Sequence, residues 1–351
     1  MEWIVAGIDE AGYGPTLGPL CVAMSVFRVR AETIPKPPDL WALLEPAVCR
    51  EPGRGGKPDS KGRIAVADSK QLKLSNSVKS THPLVHLERG VLAFLSTFGD
   101  RPATTNELLS RLGTVLDPHP CYATNEQCPD TILPCATQSG ELGIAANLLN
   151  RTMVRANVEL LDLSCIAIGE SRFNHIIRET GNKTSTTGFA IQSHMRKVWE
   201  QWGTLSDPAK PESHRVTIVC DRQGGRADYA PFLQHALRAD AAKVETLEQT
   251  DTRSSYRMTA EMPDGIKRLG ISFMVEGEQH HLPIALASMT AKYVRELSMN
   301  RFNAYWAHQH AKHTQTELKP TAGYALDARR WLSDIASTMS KSDREALTRI
   351  A

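Results

Sequence analysis

Apolar residues in this chain gather into short runs that stop at acidic or glycine-rich turns. Trp3-Ile4-Val5-Ala6-Gly7-Ile8 predicts a strand that ends at Asp9-Glu10, with the turn-forming Ala11-Gly12-Tyr13-Gly14-Pro15 behind it. A second run, Pro19 to Phe27, predicts a partner strand, and the glycine-rich turn between them predicts an antiparallel pair. Arg30 to Lys61 reads as loop, carrying Pro35, Pro37, Pro38, Pro46, Pro52 and Pro58 around one short helix at Leu40 to Leu44. Helical segments are predicted over Val85 to Phe98 and Leu142 to Asn157. Between them, from Gly99 to about Thr137, prolines return and Cys121, Cys128 and Cys135 recur seven apart, as in an insertion or small subdomain. Leu160 to Ile168 predicts the next strand, then come Glu170 to Arg178 and a helix near Phe189 to Trp202. Val216 to Cys220 is almost wholly apolar, as a strand buried on both faces is, and it ends at Asp221. Gly270 to Glu276 predicts another strand. Pro283 to Ala304 predicts a helix, as does Leu326 to Met339, with Trp331, Leu332, Ile335 and Met339 on one stripe. A strand pair followed by alternating helices and strands predicts an α/β fold with a sheet of mixed direction.

Composition narrows the classes. The 351 residues give room for one large domain or two modest ones, and 41% hydrophobic with 23% charged residues excludes a disordered or fibrous chain. Forty-one Lys+Arg against thirty-nine Asp+Glu leave a net charge of +2, so bulk charge does not advertise a nucleic-acid binder, although a local basic groove is compatible with it. Trp3 to Ile8 is too short for a signal-peptide core, and no run approaches the ~18 apolar residues of a membrane helix. Seven cysteines in no regular secreted framework complete the expectation of a soluble, cytoplasmic, thiol-containing protein with no membrane partner.

Chemistry enters at the strand ends. Asp9-Glu10 and Asp221 each terminate a short apolar strand ahead of a glycine turn, where neighbouring strands can converge them. Carboxylates brought together raise one another's pKa unless a cation holds them, and Mg²⁺ or Mn²⁺ suits such oxygen ligands. Taken singly, each acid is equally a turn cap. On the helix predicted from Pro283, Ser288, Lys292, Arg295 and Glu296 share one face, while Leu286, Thr290, Tyr293, Val294 and Leu297 line much of the other; spacing alone makes the polar face a solvated surface. Gly12, Gly14 and Gly18 do not make a dinucleotide loop, because the third glycine is one position late and a strand follows. Gly53 to Lys57 is no phosphate loop, since Glu51 stands where its first glycine belongs; it reads as a flexible basic loop. His119, Cys121, Cys128 and Cys135 are zinc-ligand types without the paired spacing, and read as reduced structural thiols. His308, His310 and His313 read as a polar helix end.

Several segments together resemble type 2 ribonucleases H (ribonuclease HII). Gly7-Ile8-Asp9-Glu10-Ala11-Gly12-Tyr13-Gly14-Pro15, with Gly18-Pro19 after it, resembles the family's opening motif. Asp68-Ser69-Lys70-Gln71-Leu72 resembles its Asp-Ser-Lys-Lys-Leu, and Val219-Cys220-Asp221 its strand ending in Asp. Ala287-Ser288-Met289-Thr290-Ala291-Lys292-Tyr293-Val294-Arg295-Glu296 resembles Ala-Ser-Ile-x-Ala-Lys-Val-x-Arg-Asp, and Gly323-Tyr324 a late Gly-Tyr-Gly. Five matches in order cover both ends of the chain and leave about 99–159 unaccounted for. The resemblance implies an RNase H-like fold with antiparallel first strands, then parallel strands, flanked by helices. It divides the chain into residues 1–98 and 160–351 as two parts of that domain, with 99–159 inserted.

It also implies a metal-dependent endonuclease that cleaves the RNA strand, or embedded ribonucleotides, in RNA–DNA duplexes with Mg²⁺ or Mn²⁺. Asp9, Glu10, Asp221 and Glu296 are the implied catalytic metal ligands. Gly12, Tyr13, Gly14, Ser69, Lys70, Ser288, Lys292, Arg295 and Tyr324 are the implied substrate contacts, with the glycines letting backbone approach a sugar and its 2′-hydroxyl. The chain departs from the pattern at Tyr13, where the family is usually basic, at Glu296 in place of Asp, and at Ala325 in place of a closing glycine. The alternatives are a non-catalytic nucleic-acid-binding or scaffold protein on the same fold, and a nuclease of that fold acting on DNA alone.

Overall fold

The first two apolar runs pair as the glycine turn between them predicts. β1 (Glu2–Ala11) and β2 (Leu20–Arg30) lie antiparallel, with Glu2 opposite Arg30 and Ala11 opposite Cys21. The computed structural model describes residues 2–31, 37–77, 80–126, 128–203, 205–206, 214–223, 226, 228–237, 241–263 and 265–350. β3 (Val158–Ile168) extends the sheet antiparallel beyond β2. β4 (His214–Asp221) lies parallel on the other side of β1 with Ile8 opposite Cys220, which brings Asp221 level with Asp9. A meander of β5 (Lys243–Gln249), β6 (Arg253–Met262) and β7 (Gly265–Met274) completes the sheet, with β7 parallel to β4. The order is β3-β2-β1-β4-β7-β6-β5, and a two-residue strand, Leu205–Ser206, pairs with the start of β7. This is an α/β fold with a mixed sheet flanked by helices, as expected; its pairing is antiparallel over β3-β2-β1, parallel over β1-β4-β7, and antiparallel again in the β7-β6-β5 meander, which the expectation lacked.

Both faces of β1 are buried. Ile4, Ala6 and Ile8 enter one core with Met195, Val198 and Trp199, whereas Trp3, Val5 and Ala11 enter another with Phe27, Leu92 and Leu286. Burial on two faces is why the strand reads as a continuous apolar run. Among the helices are α1 (Val85–Leu95), α2 (Thr105–Arg111), α3 (Ser139–Arg155), α4 (Glu170–Thr180), α5 (Thr184–Trp202), α6 (Leu282–Ala311), α7 (Ala325–Asp334) and α8 (Lys341–Leu347). Among the described residues no helix is long and apolar enough to cross a membrane.

α6 decides the position of the site. Its start lies so close on β1 that a Cβ at Gly7 would fall within the Pro283–Ile284 backbone, and Ser25 Oγ donates to the Pro283 carbonyl at 2.8 Å. The helix is buried nearly all round, including Arg295, which is 1% exposed. The solvated polar face inferred from spacing is therefore interior along much of its length.

Residues 99–159 add Leu108, Leu112, Leu142, Leu149 and Met153 to the core that holds Phe27 and Leu286. Glu88 of α1, wholly buried, ties this segment down. Its carboxylate accepts from the backbone N–H groups of Cys135 (2.8 Å), Ala136 (2.7 Å) and Thr137 (2.6 Å), and from the Tyr293 hydroxyl (2.9 Å). The cysteines are free thiols: Cys121 Sγ stands 3.1 Å from His119 Nδ1, and Cys135 Sγ donates to Glu88 Oε2 at 3.2 Å. His310, one of the three histidines near the end of α6, is buried with its ring nitrogens at Thr338 Oγ1 and Thr316 Oγ1. In the Gly53 to Lys57 loop a 3₁₀ turn forms at Arg54–Gly56.

Candidate active site

Asp9 and Glu10 close β1, and Asp221 closes the parallel neighbour β4, so the sheet itself delivers three carboxylates to one edge. They line a cleft of about 230 Å³ with Asp68, Ser69, Lys70, Glu278, Ser288, Lys292, Tyr324 and the 11–15 loop. A cleft this small holds ions and the edge of a larger ligand, whose bulk must lie across the mouth. Ser288 comes from α6 and donates to Ser69 Oγ at 3.0 Å, both side chains being buried. Ser69 opens a short helical turn, Ser69–Leu72, whose N-cap Asp68 accepts from the Lys70 N–H at 2.9 Å.

The acids are charged against one another. Burial, then Glu10 and Asp221, push the Asp9 carboxyl well above the usual range, opposed by the neighbouring Ser288 side chain and by the Glu10 backbone N–H, which donates to Asp9 Oδ1 at 2.8 Å. Burial, then Asp221 and Glu278, push Glu10 up to about 7, with Lys70 pulling the other way. Burial also raises Asp221, against hydrogen bonds from the Gly277 and Arg222 backbone, and it raises Glu278, which feels Asp221 and Asp68. The Lys70 ammonium faces Asp68, Glu278, Asp9 and Asp221 together, one cation against four carboxylates. Such a set is short of positive charge.

Two further acids line the cleft, Asp68 and Glu278, and the expected Glu296 does not. Glu278 sits in the turn Gly277–His280 just beyond β7, and Gly277 N–H donates to Asp221 Oδ1 at 3.3 Å. Glu296 lies eight residues past Ser288 on α6, about 12 Å along the axis, and its Oε1 pairs with Lys292 Nζ at 2.7 Å. The strand, acid and glycine of Asp9 and Asp221 recur at Met274-Val275-Glu276-Gly277, but that pattern marks the exposed Glu276 and not Glu278, which follows the glycine.

Arg295, expected at the substrate, instead holds the loops that frame the cleft. Its Nη2 donates to the carbonyls of Leu17 and Ala322, each at 3.1 Å, and its guanidinium lies 5.9 Å from the half-exposed Tyr324 ring. Gly12 has φ +89°, and a Cβ there would strike the Arg295 side chain, so the loop requires glycine; Gly14 is open on all sides. From beneath, Arg349 donates to the carbonyls of Gly12 (2.6 Å), Pro15 (3.3 Å) and Gly18, and its own N–H donates to Thr16 O at 2.9 Å. Buried Glu170 accepts from Gly18 N–H (2.8 Å) and the Tyr122 hydroxyl (2.7 Å). Burial pushes Arg349 down to about 10. Neither Arg349 nor Glu170 belongs to the acidic constellation, so the residue patterns that mark the acids do not mark them.

The donor set suits a hard divalent cation, being four carboxylates that burial and mutual repulsion leave undercompensated. Among the described residues, no group of three or more His, Cys, Asp or Glu side chains is already arranged to hold a metal ion.

No protein-family model and no curated protein matches the chain. Solved structures do. Ribonuclease HII of Archaeoglobus fulgidus, in its PCNA complex, is 13% identical, with 99% of this chain and 94% of that one covered and a TM-score of 0.39. Bst-RNase HIII in complex with Mn²⁺ is 12% identical, with 99% and 66% covered and a TM-score of 0.39. Ribonuclease H2 of Pyrococcus horikoshii is 12% identical, with 98% and 96% covered and a TM-score of 0.35. At these values the functional reading rests on this chain's own residues.

Proposed function

We propose that this protein is a divalent-metal-dependent endonuclease acting on the RNA strand, or on embedded ribonucleotides, of RNA–DNA duplexes. The observation that carries the reading is the meeting of Asp9, Glu10, Asp221 and Glu278, far apart in sequence, in one cleft that leaves them short of positive charge. The ordered likeness of five segments to ribonuclease HII supports the substrate class.

In this reading the four carboxylates hold Mg²⁺ or Mn²⁺. The ions would activate a water and offset charge building on phosphorus and the leaving oxygen. The Glu10 N–H fixes Asp9 by donating to its Oδ1 at 2.8 Å, and Gly277 N–H fixes Asp221. Lys70 balances the acids and, with Lys292, faces the phosphate backbone; Glu296 positions Lys292 through their ion pair. The open backbone at Gly14 admits a sugar, and Tyr13 and Tyr324 offer rings at the mouth.

The test presents an RNA–DNA hybrid, a duplex with one ribonucleotide and an all-DNA duplex to the protein in Mg²⁺ and in Mn²⁺. Cleavage at ribonucleotides is expected. Asp9→Asn abolishes it while duplex binding persists. Glu278→Gln costs far more activity than Glu296→Gln, whose loss is about tenfold because it acts through Lys292. Cleavage of all three substrates alike points to the DNA-acting reading, and binding without cleavage in either metal points to the scaffold reading. Equal losses in the two glutamate variants overturn the choice of Glu278.

A further inference from the structure

The cations around the cleft are nearly all engaged. Lys70 faces four carboxylates, Lys292 is paired with Glu296, and the buried guanidinium groups of Arg295 and Arg349 are hydrogen-bonded to backbone carbonyls. Lys183 differs. It precedes α5, half-buried, with its Nζ 5.3 Å from the centroid of the Tyr13 ring and 6.0 Å from that of Phe173. Tyr13 lines the cleft and feels the Glu10 carboxylate. Among the described residues, Lys183 has no carboxylate at ion-pairing distance. The charged neighbour that acts on it is Arg349, which repels it and, after burial, holds its ammonium below the usual lysine range.

A lysine kept beside a like charge and supported only by ring faces is poised for an anion. Its place at the start of the 19-residue α5 adds the positive end of a helix dipole. An anion there would lie beside the glycine loop and outside the acidic cleft. A phosphodiester of a strand laid across the mouth meets that requirement, because the cleft itself repels phosphate. We propose that Lys183 is a substrate-binding residue that grips a backbone phosphate of the bound duplex next to Tyr13. This rests on the nucleic-acid reading of the same site.

The test measures binding of a fluorescein-labelled RNA–DNA hybrid by anisotropy in Mg²⁺, between about 50 and 200 mM salt. All chains carry Asp9→Asn so that the duplex stays intact. Adding Lys183→Gln is expected to weaken binding several-fold and lower the slope of log affinity against log salt by about 1. Lys183→Arg keeps the charge and the slope. Lys341→Gln, on the exposed α8, changes neither. Circular dichroism and melting temperature confirm that each chain is folded. If Lys183→Gln retains the parent slope and affinity, or if Lys341→Gln lowers the slope equally, the assignment of Lys183 is overturned while the nucleic-acid reading stands. If the parent Asp9→Asn chain binds no hybrid even at the lowest salt, the nucleic-acid reading itself fails and takes this inference with it.

Discussion

Glu88 offers the sharpest stability test. Its carboxylate satisfies three backbone N–H groups, at 2.6–2.8 Å, of which that of Thr137 is buried and those of Cys135 and Ala136 are partly so, and the Tyr293 hydroxyl, and so joins the 135–137 turn to α1 and α6. Glu88→Ala leaves those donors without an acceptor. An orphaned buried N–H costs about 1–3 kcal/mol; Thr137 bears that in full and the partly open Cys135 and Ala136 less, so with the lost packing of the side chain the sum is roughly 3–5 kcal/mol. The expected loss is about 4 kcal/mol, a large share of the 5–15 kcal/mol typical of a folded domain. Glu88→Gln keeps the volume and one oxygen. That oxygen still serves Ala136 and Thr137, but the amide NH₂ confronts the Cys135 N–H, for a loss of about 2 kcal/mol. Tyr293→Phe removes one donor and leaves no orphan, so about 1 kcal/mol is expected. Equilibrium urea unfolding followed by fluorescence and circular dichroism gives the three values, provided both probes report one transition. The reasoning is refuted if Glu88→Ala costs under 1 kcal/mol, or if the glutamine variant is as damaged as the alanine variant.

Two further outcomes follow from the packing. His194 of α5 is fully buried and donates from Nε2 to the Val22 carbonyl at 3.0 Å, and burial pushes its pKa down to about 4. Below its unfolded value near 6.5 the unfolded chain takes up a proton that the folded chain refuses. Stability therefore falls as pH drops from about 6.5 to 4, by about 3 kcal/mol, and is flat below 4 with respect to this group; in urea titrations across that window, His194→Gln should lack this part of the slope. Gly7→Ala drives a methyl into the backbone of Pro283–Ile284, so α6 must lift at a cost of about 3 kcal/mol. Its melting temperature should fall together with cleavage, because Ser288 and Lys292 ride on that helix; an unchanged melting temperature would mean that the helix does not sit so close.

Strand ends and buried runs were legible in the sequence because a strand buried on both faces must be apolar throughout, and the acids that break such a run stand out. Hence β1, β2, β4, Asp9, Glu10 and Asp221 could be read without coordinates. β5 and β6 could not. β5 exposes most of its residues and forms because β6 supplies its hydrogen bonds, so no periodicity announces it. α2 did carry a sign, Thr104-x-x-Glu107, where the Thr104 hydroxyl accepts from Glu107 N–H at 3.3 Å.

The likeness of local motifs could name acids but not measure the distance between them. Which glutamate joins the cleft depends on how α6 lies against β1 and on the turn after β7, and both are decided by tertiary packing. Likewise Arg349 and Glu170 reach the glycine loop from segments remote in sequence, and they hold it by hydrogen bonds to backbone groups that every residue possesses. A sequence records which side chains are present and how apolar each stretch must be. Long-range convergence is decided only when the layers close, because only then does burial set which charges face one another without water between them.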